Sequence, residues 1–442
     1  MSASASASPL PEPPSLDPLT FTPEQFGAVG DGKANDWEPL KSAFAACASA
    51  DLKPRQRCRI LLEKDYLTAP LVISSSYTTL EITGSLAMLP HEEMCKLVNC
   101  GDDPSKGDVP GAFISNYAGD CENVVPDGSE DEYSVCLTDV LVTGSGSVFS
   151  TNPWRWWFGA RFKGMWRPHM FVFHKMQNLR FENLHLRDPV NHFIEISDSV
   201  RSRVSGLTMD APFLSPNSDG LNFYGGFDSV FENSVVTNGD DCATVVPVNE
   251  YMDICSDPEV DPSDVRCGGG HAVLRNLTCN GGHGLSVGGV RHGSVRNVTF
   301  ENITATGGQR GSTQDEAAGG GCRIKSYPNG TGVVQDIRYK DIIFDDVYLP
   351  IQILGHYCPF PCNTPDGDQS VKFKDISFEN ISGRGKQRHT VVELKCSEYS
   401  PCENITMTNI KLSSKKQEVG DLTCENVDSL FVDEGSHPNK CQ

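Results

Sequence analysis

Four short polar segments carry side chains that could perform acid–base chemistry, and they occur in a fixed order along the chain. They read NSDG (residues 217–220), NGDDC (238–242), GGHG (281–284) and RIK (323–325). Three carboxylates stand out among them: Asp219, Asp240 and Asp241. Each segment alone is typical of a solvated turn or strand, so its chemical meaning depends on whether the fold brings the four together.

Three carboxylates placed close together have a defined chemistry. Because like charges repel, one of them is expected to hold its proton at a pH where the others are ionised. Glycoside hydrolysis needs that combination, since a carboxylic acid protonates the leaving oxygen while an ionised carboxylate activates water. His283 could tune this protonation by hydrogen bonding. Arg323 and Lys325, two apart on one strand, would face the same way and form a basic spot.

The elements that must position these side chains are short strands in a repeated pattern. An apolar-x-apolar-x-x-apolar motif, with Asn or Asp at its fifth position, starts at residues 179, 298, 337, 376 and 405. The pattern predicts a short strand with one face inward, then a turn residue that tolerates positive φ. The starts at 298, 337 and 376 are 39 residues apart, and the last follows after 29. Coils of variable length that stack identical faces predict a β-solenoid.

The solenoid would also bring the carboxylates together. Asp219 and Asp240 are 21 residues apart, about one coil, and neighbouring coils are separated by ~4.8 Å. A β-sandwich also contains many short strands and remains an alternative. It would not explain why the same turn Asn recurs, whereas stacked turn amides can bond up and down a solenoid.

One amphipathic helix is expected near the N-terminus. Residues 37–49 (WEPLKSAFAACAS) place Leu40, Phe44 and Cys47 at helical spacing, with Asn35 or Asp36 as the cap. We expect this helix to cover the open end of the stack, where backbone groups would otherwise stay unpaired. No later helix of comparable length is expected. Residues 1–20 are predicted to be a disordered Ser/Ala/Pro-rich tail, and residues 21–442 a single domain.

The charge balance restricts the partners. The formal net charge is −21, from 37 Lys plus Arg against 58 Asp plus Glu. Such a surface repels nucleic acids and anionic lipid headgroups, so neither partner is expected. A polyanionic sugar would need a locally basic cleft. No apolar run approaches the ~18 residues of a membrane span.

Seventeen cysteines indicate stapled loops in an oxidising compartment. Close pairs are Cys255 with Cys267, Cys358 with Cys362, and Cys396 with Cys402. Zinc binding is disfavoured because the pairs lack CxxC spacing and a repeated pattern of neighbouring His. The odd count leaves at least one free thiol, for which Cys322 is a candidate. The cysteines favour secretion, although the N-terminus has no apolar core of a recognisable signal peptide.

Taken together, the segments NSDG, NGDDC, CNGGHGLSVGG and RIKSY resemble the signature of the polygalacturonases, family 28 of the glycoside hydrolases. The segment FGAVGDG before the first helix is similar to the N-terminal segment of that family, and Trp156-Trp157 and Arg167-Pro168 also match it. The resemblance covers about residues 21–425. It implies an all-β fold, a single right-handed parallel β-helix with a short N-terminal capping helix.

The resemblance also implies the activity and the roles of residues. It implies hydrolysis of α-1,4 bonds between galacturonates with inversion, without metal or cofactor. Asp240 would be the general acid, Asp219 and Asp241 would position and deprotonate water, and His283 would support Asp240. The residues implied to hold the substrate carboxylate are Asn217, Arg323, Lys325 and Tyr357. Cys242 and Cys279 match a disulfide that braces the site.

The sequence departs from the family pattern at three places. Ser218 replaces the usual Thr of the first segment. The stretch from Cys242 to Cys279 contains an extra loop over residues 250–266, and residues 91–165 carry an insertion with four cysteines. Either loop could close one end of the cleft, so we expect an exo-acting enzyme that releases galacturonate or a short oligomer from chain ends.

Several alternatives stay open. They are an endo-acting polygalacturonase, a xylogalacturonan or rhamnogalacturonan hydrolase, a calcium-dependent pectate lyase, and a β-helical polysaccharide-binding protein without activity. Arg323 and Lys325 count against rhamnose at the leaving side, and no acidic cluster resembles a calcium cage. The protein is expected to be a monomer that acts on pectin. The chain has six N-x-S/T sequons, at Asn276, Asn297, Asn302, Asn329, Asn380 and Asn404, and Asn329 is the best acceptor.

Overall fold

Two large parallel sheets wind around one apolar core. The structure, a computed structural model, describes residues 16–101, 103–116, 120–127, 129, 132–247, 268–307, 320–358 and 369–442. In the described residues, 19 strands form one sheet (sheet A) and 11 form a second (sheet B). In sheet B each strand between the two edge strands pairs with the strand of the preceding coil and with that of the following coil. The predicted all-β parallel β-helix is therefore confirmed.

The strands of sheet A are β1 Leu19–Phe21, β2 Asp31–Asn35, β3 Cys58–Leu62, β4 Asp65–Thr68, β6 Thr78–Ile82, β7 Ser85–Met88, β12 Leu141–Thr143, β13 Ser147–Ser150, β16 Arg180–Glu182, β17 His185–Arg187, β19 Arg203–Ser205, β20 Thr208–Asp210, β22 Ser229–Asn238, β24 Gly268–Gly281, β26 Ser294–Thr306, β28 Val333–Val347, β30 Lys372–Gly385, β32 Glu403–Ser413 and β34 Leu430–Val432. The strands of sheet B are β5 Leu71–Ile73, β8 Ala112–Asn116, β14 His169–His174, β18 Ile194–Ser197, β21 Leu221–Tyr224, β23 Asp241–Val246, β25 Gly284–Val290, β27 Gly320–Ser326, β29 Leu349–Leu354, β31 Thr390–Lys395 and β33 Asp421–Glu425. Two short pairs complete the strands: β9 Glu122–Val124 with β10 Tyr133–Val135, and β11 Leu137–Thr138 with β15 Met176–Gln177.

The recurring turn residue bends sheet A without interrupting it. All five predicted turn positions have positive φ, between 53° and 62°: Asn183, Asn302, Asp341, Asn380 and Asn409. Their amides bond along the stack, as between Asn302 Nδ2 and Asn276 Oδ1 (2.8 Å) and between Asn380 Nδ2 and Asp341 Oδ1 (2.8 Å). The expected ladder of turn amides is confirmed, and it lets one long strand cover two faces of a coil.

The core is built from identical positions stacked coil upon coil. Val298, Ile337, Ile376 and Ile405 are in register on adjacent strands and are buried. Two positions further along the strands, the Tyr339 ring stacks between two phenylalanine rings, with centroid separations of 4.6 and 5.4 Å. This stacking explains the repeated apolar pattern, since each apolar side chain meets its equivalent on the neighbouring coil.

The predicted N-terminal helix is present as α1, Trp37–Ala48. Leu40, Phe44 and Cys47 are buried, as expected, and the helix contacts β1, β3, β4 and β5 at the end of the stack. Asp36 occupies the cap position, but its carboxylate accepts hydrogen bonds from the backbone of Val29 and Gly30. The strand β1 begins two residues inside the range 1–20 predicted as tail, and residues 1–15 lie outside the described residues.

The expectation that no comparable helix follows α1 was wrong. The chain also forms α2, His91–Leu97, and α3, Pro153–Lys163, which is only one residue shorter than α1. Pro153 stands at the first turn of α3, where a missing N–H costs nothing. Trp156 and Trp157 anchor the helix by burial, whereas the aromatic residues on its other side are exposed, so the segment lacks the apolar periodicity that revealed α1.

Six disulfides join described cysteines: Cys47–Cys58, Cys95–Cys100, Cys121–Cys136, Cys242–Cys279, Cys396–Cys402 and Cys424–Cys441. The predicted pairs Cys242–Cys279 and Cys396–Cys402 are confirmed, and Cys322 is a free, buried thiol as expected. Cys255, Cys267 and Cys362 lie outside the described residues, as does the extra loop over residues 250–266. None of the described helices is long and apolar enough to cross a membrane.

Candidate active site

The outer face of sheet B presents one polar side chain per coil at a single register position. Glu195, Asn222, Thr244, Ser286 and Arg323 follow one another on adjacent strands. Their apolar neighbours in sequence point into the core, so the alternation of the strands fixes which side chains face outward. We call these five residues the outer ladder. They form the floor on which the predicted site residues lie.

Backbone bonds between coils hold the carboxylate segments in place. Phe193 N donates to Asp219 O (2.9 Å), and Gly220 N donates to Asp241 O (3.0 Å). Asn238, the first residue of NGDDC, donates through Nδ2 to the carbonyls of Ser218 and Asp241, both at 2.8 Å. Hydrogen bonds therefore join the segments NSDG and NGDDC on adjacent coils, as their separation of about one coil predicted.

Asp241 is the most enclosed of the three aspartates. Its Oδ2 lies 2.7 Å from Lys325 Nζ, and its Oδ1 accepts a hydrogen bond of 2.6 Å from Ser286 Oγ. The side chains of Asp241 and Lys325 are 3% and 7% exposed, so this is a buried ion pair. Burial alone would raise the pKa of Asp241, but the Lys325 charge outweighs it and holds the pKa below its usual value.

Asp240 forms a pair with His283. His283 Nδ1 lies 2.9 Å from Asp240 Oδ1, which also accepts a hydrogen bond from the Asp241 amide (2.8 Å). The GGHG turn creates this contact: Gly282 has φ +53°, and a Cβ there would lie 1.9 Å from the Asp240 carbonyl oxygen. Burial opposes charge on both groups, yet their attraction lowers the pKa of Asp240 well below its usual range and raises that of His283.

Asp219 sits in a different environment. Its Oδ1 is 3.5 Å from His192 Nε2, and its Oδ2 accepts a long hydrogen bond (3.3 Å) from Asn222 Nδ2. Burial raises the pKa of Asp219 to about 7; His192 opposes this rise, and the charges of Asp240 and Asp241 add to it. The three carboxylates therefore have split protonation environments, as repulsion predicted, and Asp219 is the one that most favours its proton.

The two predicted cations have unequal surroundings. Lys325 is paired with Asp241 and also lines the cavity described below. Arg323 is 1% exposed, and none of its three side-chain nitrogens has a hydrogen-bond partner among the residues that the structure describes. The Tyr357 ring lies over both cations, at 5.2 Å from Arg323 Cζ and 5.1 Å from Lys325 Nζ. An unpaired buried guanidinium is costly, so its position suits an anionic ligand.

A cavity of about 400 Å³ opens above this floor. Its lining includes Asp219, Asp241, Lys325 and Tyr357. Asp240, His283, Arg323 and Asn217, the other predicted site residues, are outside the lining. The side chains of Asp240 and His283 are each about one fifth exposed. Asn217 is exposed, and its Oδ1 accepts a hydrogen bond of 2.9 Å from Arg167.

Two groups near the cavity could offer ligands to a metal ion. They are His169 with His192 and Glu195, and Asp240 with Asp241 and His283, whose ligand atoms lie within 4.8 Å of one another. The carboxylates of both groups are already engaged: Glu195 by His192, Asp240 by His283, and Asp241 by Lys325. Charge in these clusters is therefore balanced by imidazoles and an ammonium group of the chain itself.

Sequence reasoning missed the polar residues on the Asp219 side. His192, Glu195, His169 and Asn222 all line the cavity. A signal was present in the segment HFIEIS, where apolar residues flank Glu195 in strict alternation, about one coil before NSDG. That alternation indicates an outward-facing carboxylate beside the site. The disulfide Cys242–Cys279 was predicted, and it joins the NGDDC strand to the strand before GGHG.

Comparisons with known proteins agree with this architecture. A family described as "Glycosyl hydrolases family 28" matches residues 128–434. The Arabidopsis thaliana protein "Polygalacturonase QRT2" is 27% identical, over 94% of this chain and 83% of that protein. A solved exopolygalacturonase from Thermotoga maritima is similar with a TM-score of 0.68 at 15% identity, covering 96% of this chain and 93% of that one. A solved endo-xylogalacturonan hydrolase from Aspergillus tubingensis is similar with a TM-score of 0.66 at 18% identity, covering 95% of this chain and 100% of that one.

Proposed function

Since the chain belongs to glycosyl hydrolase family 28, we propose that this glycoside hydrolase cleaves α-1,4 bonds between galacturonate residues of pectin. One observation carries the proposal: Asp219 and Asp241 line one cavity, Asp240 directly precedes Asp241 in the chain, and the three carboxylates have different charged partners, which favour different protonation states. Hydrolysis of a glycosidic bond requires a proton donor and an ionised carboxylate in one site. The relatives named polygalacturonases support galacturonan as the substrate.

Asp240 is the general acid of this proposal, and His283 supplies the proton that Asp240 donates. The pair holds one proton between Nδ1 and Oδ1, 2.9 Å apart, and the low pKa of Asp240 puts that proton on the imidazole. When the bond breaks, the His283 proton moves to Asp240 and from Asp240 to the leaving oxygen, which leaves His283 neutral until solvent protonates it again. Asp219 is the rival acid, because its raised pKa favours the protonated form without a substrate.

Asp219 and Asp241 position and deprotonate the attacking water. Both line the cavity, whereas Asp240 is not among its lining residues, which supports different roles for them. Inversion needs about 6.5–9.5 Å between the acid and base carboxyl groups to leave room for the water. Proton NMR of the first product resolves the anomer: the β anomer from an α-linked substrate supports inversion, and the α anomer excludes it.

Arg323 and Tyr357 would hold the substrate carboxylate, with Lys325 and Asn217 in supporting roles. The buried guanidinium without a hydrogen-bond partner supports this assignment. A planar guanidinium matches a carboxylate in two parallel hydrogen bonds. Lys325 would act mainly through Asp241, and Asn217 through the loop that Arg167 anchors.

We further propose exo action, from the insertion over residues 91–165. Its helix α2 packs on α3 through Glu92 with Arg155 (2.7 Å) and through the rings of His91 and Trp156 (4.8 Å). Trp157 of α3 donates to the carbonyl of Pro189 (3.0 Å), three residues before the cavity residue His192. The insertion thus continues toward one end of the cavity, which supports a closed end.

The test is a time course on demethylated polygalacturonate with excess chelator. We expect reducing ends to rise without absorbance near 235 nm, and galacturonate or a short oligomer to be the main early product. Unsaturated products that disappear with the chelator would mean a lyase. Mixed mid-length oligomers at early times would mean endo action, and turnover only on xylose-substituted chains would mean a xylogalacturonan hydrolase. Binding without turnover would leave a polysaccharide-binding protein.

Secretion, glycosylation at Asn329 and a monomeric state belong to the same proposal. Six disulfides among the described residues support an oxidising compartment. Asn329 occupies a turn with φ +56°. Mass spectrometry of the protein purified from the culture medium, before and after glycosidase treatment, tests secretion and the modified sites together.

A further inference from the structure

A chain of three side chains runs from the outer ladder to Asp219. Glu195 Oε1 lies 2.8 Å from His192 Nδ1, and His192 Nε2 lies 3.5 Å from Asp219 Oδ1. The imidazole therefore has a carboxylate at each ring nitrogen. None of these contacts is part of the acid pair, because Asp240 uses His283. The site thus contains two imidazole–carboxylate arrangements, and the proposed function assigns a role to the Asp240–His283 pair but none to His192 and Glu195.

The two carboxylate contacts favour the doubly protonated imidazole. A ring nitrogen that faces a carboxylate is favourable only when it carries hydrogen, and His192 has a carboxylate at both nitrogens. Nδ1 also lies 2.9 Å from Asn222 Nδ2, and when Nδ1 carries hydrogen this amide group donates to Asp219 Oδ2 (3.3 Å). Burial alone would lower the pKa of His192, but Asp219 and Glu195 raise it to about 9. The resulting imidazolium places a positive charge next to Asp219, the carboxylate that most favours its proton.

We propose that His192, held in place by Glu195, is a positioning residue that keeps Asp219 ionised and oriented toward the attacking water. This inference rests on the proposed function, in which Asp219 acts on water as a carboxylate. It adds a role for two residues outside the four polar segments. His192 retains its proton throughout. Asp219 is negative until the attacking water transfers a proton to Asp219 or Asp241, and that carboxylate then releases the proton to solvent.

The neighbouring charges make such a device necessary. Asp219 faces Asp240 and Asp241, which disfavour its charge, and Lys325, which favours it. Arg167 is also close enough to interact with Asp219 and Asp240. His192 faces Glu195 on β18, Asp219 before β21, Asp240 before β23, and His169 on β14. Burial lowers the pKa of His169 to about 4, so this ring, 4.5 Å from His192, packs against it as a neutral group.

Removing the imidazolium should therefore raise the pKa of Asp219 by about one to three units, the usual effect of an adjacent opposite charge. As pH is lowered, Asp219 would then become protonated, and so neutral, at a higher pH than in the wild type. In His192→Asn, we expect the acidic limb of the pH–kcat profile to move to higher pH by at least about one unit. At a fixed pH below that limb, kcat should fall roughly 10- to 100-fold, with KM changed less than about threefold.

Glu195→Gln tests the second link. The amide keeps a hydrogen-bonding group beside His192 but removes its charge, so the acidic limb should move in the same direction by a smaller amount. The matched control is His185→Asn. His185 Nε2 lies 2.8 Å from Asp210 Oδ2, the same type of pair, but on sheet A and about 40% exposed. This control should leave the profile unchanged.

A readout without substrate separates this inference from the proposed function. Nitrogen NMR of histidine-labelled protein gives the pKa of His192 directly, assigned by its loss in His192→Asn. We expect a value above about 8 in the wild type and a clear decrease in Asp219→Asn and in Glu195→Gln. A His192 pKa at or below about 6.5 would overturn the inference even in an inactive protein. In an active protein, lower kcat with an unmoved acidic limb would also overturn it.

Discussion

Lys325 Nζ and Asp241 Oδ2 lie 2.7 Å apart, and both side chains are almost completely buried. The pair links RIK to NGDDC across the GGHG coil, and Ser286 completes the hydrogen bonding of the carboxylate. A buried ion pair of this kind contributes little net stability, but losing one partner leaves a buried charge without compensation. The basic residue predicted for the substrate therefore has a structural role as well.

Lys325→Met is expected to destabilise the protein by about 3–5 kcal/mol, because it leaves Asp241 buried and unpaired. Chemical denaturation at pH 7 measures the change. Lys340→Met is the matched control: Lys340 also pairs with a carboxylate, Glu301 at 3.4 Å, but both side chains are about one third exposed. It should cost less than about 1 kcal/mol. Equal losses in the two variants would refute the distinction.

Asp240→Asn is expected to lower kcat by about 10²–10⁴, the usual contribution of general acid catalysis. Binding of polygalacturonate should be retained, because no cation that would hold the substrate is removed. Initial rates and isothermal calorimetry on the same preparation measure both. Asp346→Asn, at an exposed carboxylate paired with Arg384 on sheet A, is the control that should leave both unchanged. Full activity of Asp240→Asn would assign the acid to Asp219.

His283→Asn should remove the basic limb set by the His283–Asp240 pair. The pKa of His283 is raised by Asp240, so its proton is present at low pH and lost as pH rises through that raised value. The kcat of the wild type should therefore fall as pH rises through the pKa of His283. The kcat of His283→Asn should be lower than that of the wild type at all pH values. The pH–kcat profile between pH 4 and 9 checks this. A basic limb that is identical in the variant would contradict the role of His283.

Asp219→Asn should stabilise the folded protein most at high pH. The folded-state pKa of Asp219 is about 7 against an ordinary 3.8, so between these values the folded state binds a proton that the unfolded state has released. Stability attributable to Asp219 therefore falls as pH rises from about 4 to 7, by about 1.4 kcal/mol per unit of pKa difference at most. Thermal unfolding should show a larger increase in Tm for the variant at pH 8 than at pH 4. A gain that is equal at both pH values would argue against a raised pKa.

Asn276→Ala should destabilise the turn ladder by about 1–3 kcal/mol. Asn276 has φ +54°, donates to Asn233 Oδ1 (3.0 Å) and accepts from Asn302 Nδ2 (2.8 Å). Alanine loses both hydrogen bonds and also disfavours positive φ. Asn276→Gly, which loses only the hydrogen bonds, should recover part of the loss. Urea denaturation of the three proteins gives the comparison, and a glycine variant less stable than the alanine variant would contradict this account.

The sequence predicted the scaffold well because its signals are local and repeated. The turn position of Asn302 and Asp341, the inward apolar residues and the coil spacing from Asp219 to Asp240 each follow from short-range patterns. Because the coils stack, residues separated by one coil in the sequence lie next to each other in space. The helix α3 escaped prediction because its anchors, Trp156 and Trp157, are adjacent, so no apolar periodicity marks it.

The partners of the charged residues were less predictable. Lys325 and Arg323 share one face of one strand, and sequence alone cannot say that Asp241 forms its close ion pair with Lys325, whereas Arg323 has no hydrogen-bond partner in the described part of the chain. Glu195 lies on β18 and His192 just before it, in a part of the chain that contains none of the four polar segments. Their relation to Asp219 depends on which side chains meet across coils, and pairwise distances of this kind appear only once the coils are stacked.

The register of the outer ladder is unbroken from Glu195 to Arg323, although residues 248–267 and 308–319 are inserted between the strands that carry it. Changes in the length of a connection are therefore absorbed outside the ladder. In enzyme engineering, the connecting segments could therefore be exchanged without moving the reacting groups. Such an exchange should alter which polymer the enzyme accepts or where along the polymer it cleaves. Evolution could have used the same freedom to diversify substrate range without rebuilding the chemistry.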